Sequence, residues 1–310
     1  MEITPRKNVI LADFSSYKIG GPAEYFFEAK DWYEAEESLR WSKDNNSPIF
    51  ILGGGTNILI PDDGIRGLVL KPLIDTLEFN DNVVLVGAGI LMADLVYAVA
   101  DLGLSGLEWA GGLPGTVGGA VRGNAGAFGG EMKDAVEYVE SIDEKSFKKN
   151  TRDNSGCEFD YRNSIFKKNN REIVLQIALK LDRGSPEQIK KSIEEKIQYR
   201  KDRHPMEYPN IGSMFKNVDA KKASSELIKE AREVIKTDPF PVIPAAYLIS
   251  EAGLKGVSFG GAMISQKHPN FIVNISKAKS SDVKELISLA KEEVRKKFGV
   301  TLEEEVLILK

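Results

Sequence analysis

Apolar residues recur along this chain in two rhythms. In REIVLQIALKLDRG, Ile173, Leu175, Ile177, Leu179 and Leu181 stand at every second position, the period of a half-buried strand. In GAGILMADLVYAVADLGL, Leu91, Leu95, Val96, Val99 and Leu102 recur three and four residues apart, which predicts a helix with one buried face. The two rhythms alternate from end to end. Asp31, with Glu34 three residues on, forms a capping box and predicts a helix over 31–43 carrying Trp32, Ala35, Leu39 and Trp41. Pro48 to Leu52 reads as a buried strand, ILIPDDGIRGLVLKPL as two short strands about an Asp-Asp-Gly turn, and Val83 to Val86 as another strand. VEYVESID predicts a strand and KSFKKNTRDNSG a polar hairpin or loop. Ser185, Pro186 and Gln188 predict a helix start, and Ile189, Ile193 and Ile197 give that helix its stripe until His204-Pro205. PMEYPNIGSMFKN, with two prolines, reads as a domain junction. Beyond it the pattern predicts a helix over about 220–236, a strand at 270–274, a helix over 282–298 capped by Asp282 and Glu285 and stopped by Gly299, and a last strand over 300–309.

Composition narrows the class. A chain of 310 residues, 42% hydrophobic and 28% charged, is long enough for two or three globular domains. A net charge of −4 argues against nucleic acid or an anionic membrane as partner, because both demand a basic face. No apolar run reaches membrane length and the first residues lack the apolar core of a signal peptide, so a cytoplasmic location is expected. The one cysteine, Cys157, permits no internal disulfide, and with only His204 and His268 beside it no metal site is expected. Cys157 reads as an incidental thiol.

Candidate chemistry concentrates in glycine. The segment from Gly111 to Gly130, GGLPGTVGGAVRGNAGAFGG, holds nine of the chain's 28 glycines. Such density suits backbone that must turn left-handed or press closely on a phosphate-bearing ligand, whose oxygens meet peptide N–H groups and a helix N-terminus. A flexible linker would not carry Leu113, Val117, Val121 and Phe128. A dinucleotide-binding fingerprint is only approached: in VVLVGAGILMADL the third glycine position is Met92, and Glu108 lies directly before the glycine-rich loop instead of ending a strand.

Taken together, SSYKIGGPA, ILGGGTNILI, GLPGTVGGAVRGNAGAFGGE, YRNSIF, IGSMFKN, LISEAGLKGVSFGGAMISQKHPNFIVN and FGVTLEEEV resemble, in order and spacing, the UDP-N-acetylenolpyruvoylglucosamine reductases, the flavoenzymes that complete UDP-N-acetylmuramate. The likeness runs from about Ser16 to Val306 and is closer to the shorter of the family's two structural types. Ser16 and Lys18 stand where Thr and Arg are more usual, Arg122 and Gly123 where an apolar residue often precedes Asn124, Val218 where proline is common, and Ser250 where an acid is common. A tail of VLILK replaces the common glycine-ended one.

The resemblance implies an α+β chain of the vanillyl-alcohol-oxidase/PCMH-type FAD-binding fold: two FAD-binding lobes, 1–74 with a returning strand 300–310 and 75–205, plus a C-terminal α+β substrate domain, 206–299. It implies FAD as cofactor, NADPH as hydride-donating cosubstrate, UDP-N-acetylglucosamine-enolpyruvate as substrate, a role in cell-wall peptidoglycan synthesis, and a monomer. FAD would be held by Gly53, Gly54, Gly55, Thr56, Asn57, Gly112, Gly115, Thr116, Gly118, Gly119, Asn124, Ala125 and Gly126. Arg162, Ser213 and Glu305 match the family's catalytic arginine, proton-donating serine and glutamate. Glu303 and Glu304 compete with Glu305 for its role. Lys216, Asn217, Lys255, His268, Asn270 and Asn274 fall where the family meets its substrate. The alternative is an FAD-dependent oxidase of the same fold class acting on an alcohol or sugar.

Overall fold

The computed structural model describes residues 3–237 and 240–309. The chain forms two compact units. One takes the chain up to Val9, Ala23–Gly54 and Ile65–Arg200; the other takes Ile10–Pro22, Gly55–Gly64 and the chain from Lys201 onward. The segment expected as a first lobe, 1–74, is thus shared between them, and Lys310 of the expected returning strand lies outside the described residues.

The first unit contains a four-stranded and a five-stranded sheet, besides the two-stranded pairs Gly126–Ala127 with Gly130–Glu131 and Leu104–Ser105 with Asp182–Arg183. In the four-stranded one the order is Arg6–Ile10, Pro22–Ala29, Ile65–Pro72, Ile49–Ile51, and the last three run parallel. Parallel strands need a crossover, and the helix Trp32–Asp44 supplies the one from Pro22–Ala29 to Ile49–Ile51, the two strands that flank Ile65–Pro72. Its start is fixed as the sequence predicts, by the Asp31 carboxylate accepting from the Glu34 amide at 2.8 Å, and it buries Ala35 and Leu39. The five-stranded sheet is ordered Lys149–Asp153, Val136–Asp143, Glu172–Lys180, Val83–Gly87, Leu77–Asn80, with every neighbour antiparallel.

The strand Glu172–Lys180 is central and covered on both faces, not half-buried: Val174 and Ala178 are as enclosed as the alternating leucines and isoleucines. Its register against Val136–Asp143 slips between Glu140, opposite Gln176, and Ser141, opposite Val174. A bulge inverts the facing of the residues beyond it. Ile173 and Leu175 accordingly pack with Ala35, Leu39 and Leu70, whereas Ile177 and Leu179 pack with Val84, Val86 and Leu95. The helix Met92–Asp101 buries Leu95, Val96 and Val99, but Leu91 and Leu102 are its flanking caps and stay about half exposed, at 49% and 50%.

The second unit is built around Tyr17, Leu59, Met214, Phe215, Leu248, Ile272 and the helix Ser280–Phe298. That helix starts two residues before the predicted point. Asp282 accepts from the Lys279 and Gly261 amides, and Asp62 from the Ser280 and Ser281 amides, so Asp62, not Glu285, completes the cap. Gly299, at φ +70, ends it. The predicted helix over 220–236 is instead a 3-10 turn, Ala220–Lys222, and a short helix, Ser225–Glu230, because the Ser224 hydroxyl caps a new start at the Leu227 amide. The predicted last strand contracts to Leu307–Ile308, parallel to Ile58–Leu59. No helix among the described residues is long and apolar enough to cross a membrane.

His268 sits in an aromatic group with His204 and Phe271, ring centroids 5.4 and 4.8 Å away. Its Nδ1 is buried without a partner, and burial pulls its pKa down from 6.5 to about 4. Between those values the unfolded chain takes up a proton that the folded chain refuses, so stability is full above pH 6.5 and declines as pH falls toward 4. Urea unfolding should therefore show wild type losing about 2 kcal/mol more between pH 7 and pH 5 than His268→Phe. For the core, Leu175→Ala should cost about 3 kcal/mol and Leu91→Ala under about 0.5 kcal/mol by the same measurement; equal losses would contradict the burial described here.

Candidate functional site

In the first unit two glycine segments meet backbone to backbone. A Cβ on Gly54 would stand 2.7 Å from the Gly115 Cα, and one on Gly53 would be 3.0 Å from the Thr116 hydroxyl. Gly118 has the same constraint against Ala88, also at 2.7 Å. Thr116 caps the helix Val117–Gly123, and the amides of Val117 and Gly118 donate to Ile90 and Ala88 carbonyls. The start of that helix is therefore largely used by the protein itself. Different groups stand open to a ligand. Among the described residues no protein acceptor pairs with the amides of Gly53 and Gly54, nor with those of Gly55, Thr56 and Asn57 where the chain passes into the second unit, so the run offers successive donors. Gly119 is exposed, and a Cβ there would meet nothing closer than 3.5 Å, so protein packing does not require its glycine.

Arg162 occupies the apex of a turn closed by reciprocal bonds between Asp160 and Asn163. Its guanidinium donates to the Gly126 carbonyl at 2.7 Å and lies over the Tyr161 ring, which ties it to the glycine-rich segment. Asn124 is also in that segment, but its side chain is fully buried and bonded to the protein. Gly112 lies against Arg200, and Ala125 is half-buried at the turn into the Gly126–Ala127 hairpin strand.

In the second unit Ser213 leads into Met214–Lys216, which is bracketed on both sides. Asn270 accepts from the Phe215 amide and donates to its carbonyl, at 3.0 and 2.8 Å. On the other side Glu305 donates its amide to the Met214 carbonyl, and the Lys216 amide donates to the Glu303 carbonyl, each at 2.9 Å. Asn57 joins the same group, its side chain reaching the Glu305 carbonyl and its own carbonyl accepting from Leu307. Ser213, Asn57, Asn270 and Glu305 are thus brought together from four distant stretches of sequence. Of the three glutamates, Glu303 pairs with Lys222 and Glu304 with Lys291. The lysines beside Glu303 hold its carboxyl below the usual range.

The expected substrate residues divide. Lys216 is half-buried beside Glu303, and Asn217 accepts from the Ala245 amide, at the start of the helix Ala245–Glu251. Asn274 is buried and bonded to the Tyr17 carbonyl and the Ala278 amide, so its side chain braces the fold. Lys255 is exposed in its loop, and His268 lies in the aromatic group already described. Burial pushes the Cys157 thiol up to about 12, which removes it as a nucleophile. Among the described residues no group of three or more His, Cys, Asp or Glu could hold a metal ion.

Arg200 escapes the sequence reading, and Ser16 is given no site role in it. The Arg200 Nε donates to the Gly111 carbonyl at 2.9 Å, its guanidinium lies over Phe128, and its Nη2 is buried without a partner. Desolvation draws its pKa down. The signal was present, since Arg200 extends the Ile189, Ile193, Ile197 stripe by one further turn. Ser16 accompanies the 53–57 turn, its amide donating to the Gly55 carbonyl and its hydroxyl to the Asn210 carbonyl.

Comparison with known proteins identifies the family. Residues 23–146 match the FAD binding domain family, and residues 204–309 the C-terminal domain of UDP-N-acetylenolpyruvoylglucosamine reductase. The UDP-N-acetylenolpyruvoylglucosamine reductase of Lachnoclostridium phytofermentans is 37% identical over 97% of this chain and 92% of its own length. That of Caldanaerobacter subterraneus subsp. tengcongensis is 39% identical over 95% and 90%. The crystal structure of the Thermus caldophilus enzyme superposes with a TM-score of 0.78 at 31% identity, covering 99% of this chain and 100% of that one. On sequence and fold alike, the α+β chain belongs to the UDP-N-acetylenolpyruvoylglucosamine reductase family.

Proposed function

We propose that this protein reduces the enolpyruvyl ether of UDP-N-acetylglucosamine-enolpyruvate to the lactyl ether of UDP-N-acetylmuramate, with NADPH as reductant, in peptidoglycan precursor synthesis. The observation that supports this most directly is the bond from the Glu305 amide to Met214, the residue after Ser213, within one hydrogen-bonded group, in a chain of this family. FAD, when bound, supplies the hydride carrier between NADPH and the alkene.

The residues present fit that cofactor. Unpaired amides at 53–57 suit diphosphate oxygens, and Gly112, Gly115, Thr116, Gly118, Gly119 and Gly126 line the segment with little side-chain bulk. Arg200 supplies positive charge beside Gly111 and Gly112, with no salt-bridged carboxylate among the described residues.

The reaction places negative charge on the carbon beside the ether oxygen and on the attached carboxylate, and that charge needs a cation and a proton. Arg162 binds the carboxylate and stabilises the enolate. Ser213 donates its hydroxyl proton to the carbon. A serine is a weak acid, so a cation must stabilise the alkoxide as it forms, and Lys216 and Arg162 are the candidates. Glu305 orients the enolate. Lys216, Asn217, Lys255, His268 and Asn270 are assigned to the substrate side, with Asn270 acting through the backbone of Phe215.

Anaerobic titration tests the reading: the flavin band should bleach with NADPH and return with the enolpyruvyl nucleotide. Peroxide release with an alcohol or sugar, and no response to the nucleotide, would indicate an oxidase instead. Ser213→Ala should retain FAD and its reduction by NADPH while slowing reoxidation by the nucleotide about 1000-fold; equal slowing of both half-reactions would remove Ser213 from the proton transfer. Gly119→Ala should have opposite effects on two readouts. Thermal melting of the apoprotein should rise, because alanine favours a helix by about 1 kcal/mol, while FAD affinity should drop about tenfold or more. A variant that binds FAD normally would show that Gly119 does not face the cofactor.

A further inference from the structure

The turn carrying Arg162 is fastened to the glycine-rich segment at three points. Ser164 donates to the Arg122 carbonyl at 2.7 Å, Arg162 itself donates to the Gly126 carbonyl at 2.7 Å, and between them Asn124 donates to the Asp160 carbonyl at 3.0 Å. The other Asn124 contacts reach forward along its own segment: the amide nitrogen donates to the Glu131 carboxylate at 3.1 Å, and the amide oxygen accepts from the Lys133 N–H at 3.0 Å. An ion pair of 2.7 Å between Lys133 and Glu131 closes this group. Asn124 is fully buried, so no water competes for these bonds.

Both ends of the linkage are held in left-handed backbone. Asn124 has φ +42 and Arg162 φ +54, conformations that a non-glycine residue adopts only when its surroundings impose them. Asparagine tolerates this conformation and offers two donors and an acceptor in one planar group, all three of which are used here. No other side chain meets both requirements at that length.

We propose that Asn124 is a positioning residue for Arg162: by holding the Asp160 carbonyl it sets the height and direction of the turn from which the guanidinium reaches substrate. The proposal rests on the reading of Arg162 as the carboxylate-binding cation. It gives Asn124 a role different from cofactor binding, because its side chain has no remaining donor for a ligand.

The test is a double-mutant cycle on FAD-loaded protein, in which reoxidation of the NADPH-reduced enzyme by UDP-N-acetylglucosamine-enolpyruvate is followed by stopped flow. Asn124→Gly, which keeps the backbone conformation accessible, should slow reoxidation about 100-fold, the cost of misplacing a reacting group by about an ångström. Reduction by NADPH should be unchanged, and Asn124→Gly should add nothing to Arg162→Ala. Hydrogen exchange should show the Asp160 and Asn163 amides losing protection while those of Val136–Asp143 keep theirs. If Asn124→Gly cannot hold FAD, the isosteric Asn124→Asp decides, because it retains the acceptor for Lys133 and loses the donors; the same 100-fold loss is expected. A rate within twofold of wild type, or a further 100-fold loss on top of Arg162→Ala, would overturn the proposal. Arg162→Ala reacting at the wild-type rate would overturn the reading of Arg162 and this proposal with it, whereas a slow Arg162→Ala beside a normal Asn124 variant would overturn this proposal alone.

Discussion

Everything in the first unit that bears on function depends on one steric fact, the approach of the Gly54 backbone to Gly115 within a distance no side chain would permit. That approach places the turn after the strand Ile49–Ile51 against the loop that opens the helix Val117–Gly123. Gly118 repeats the condition against Ala88, whose carbonyl the Gly118 amide also uses. Most of the glycine density is thus needed to pack the chain against itself. The part left for a ligand is smaller: the unpaired amides of one turn and the bare surface at Gly119.

The second unit solves a different problem, holding short, irregular segments in register without an extended sheet. Met214–Lys216 has only two residues of strand beyond it, Val218–Asp219, yet its peptide groups are paired on both sides, by the Asn270 side chain and by 303–305. A side chain that replaces a strand partner satisfies buried backbone at the cost of requiring one residue type at one position. Asn274 and Asp62 do similar work for the Tyr17 and Ser280 backbones. This is why the unit coheres with so few long strands.

Physical reasons separate the elements the sequence reading placed from those it missed. The helix Trp32–Asp44 was legible because its cap is local, Asp31 to Glu34. The helix Ser280–Phe298 was placed two residues late because half of its cap comes from Asp62, more than two hundred positions away. The region 220–236 has helical composition, but Ser224 offers a competing start that breaks it. Alternation in the strand Glu172–Lys180 was visible, whereas the bulge that divides its residues between two cores depends on the partner strand.

For the site, residue type and order were enough to nominate Arg162, Ser213 and Glu305, since an ordered set of motifs is a property of the chain alone. Sequence also marked out the glycine turns, where Gly55, Gly112 and Gly115 have positive φ and Gly54 and Gly118 leave no room for a Cβ. Tertiary structure decided which lysines the first two of three consecutive glutamates meet, with Glu303 beside Lys222 and Glu304 beside Lys291. It decided too that Asn124, Asn270 and Asn274 direct their amides into the protein, and that Arg200 presses on Gly111. Those facts are distances between groups far apart in the chain, and no local pattern encodes them.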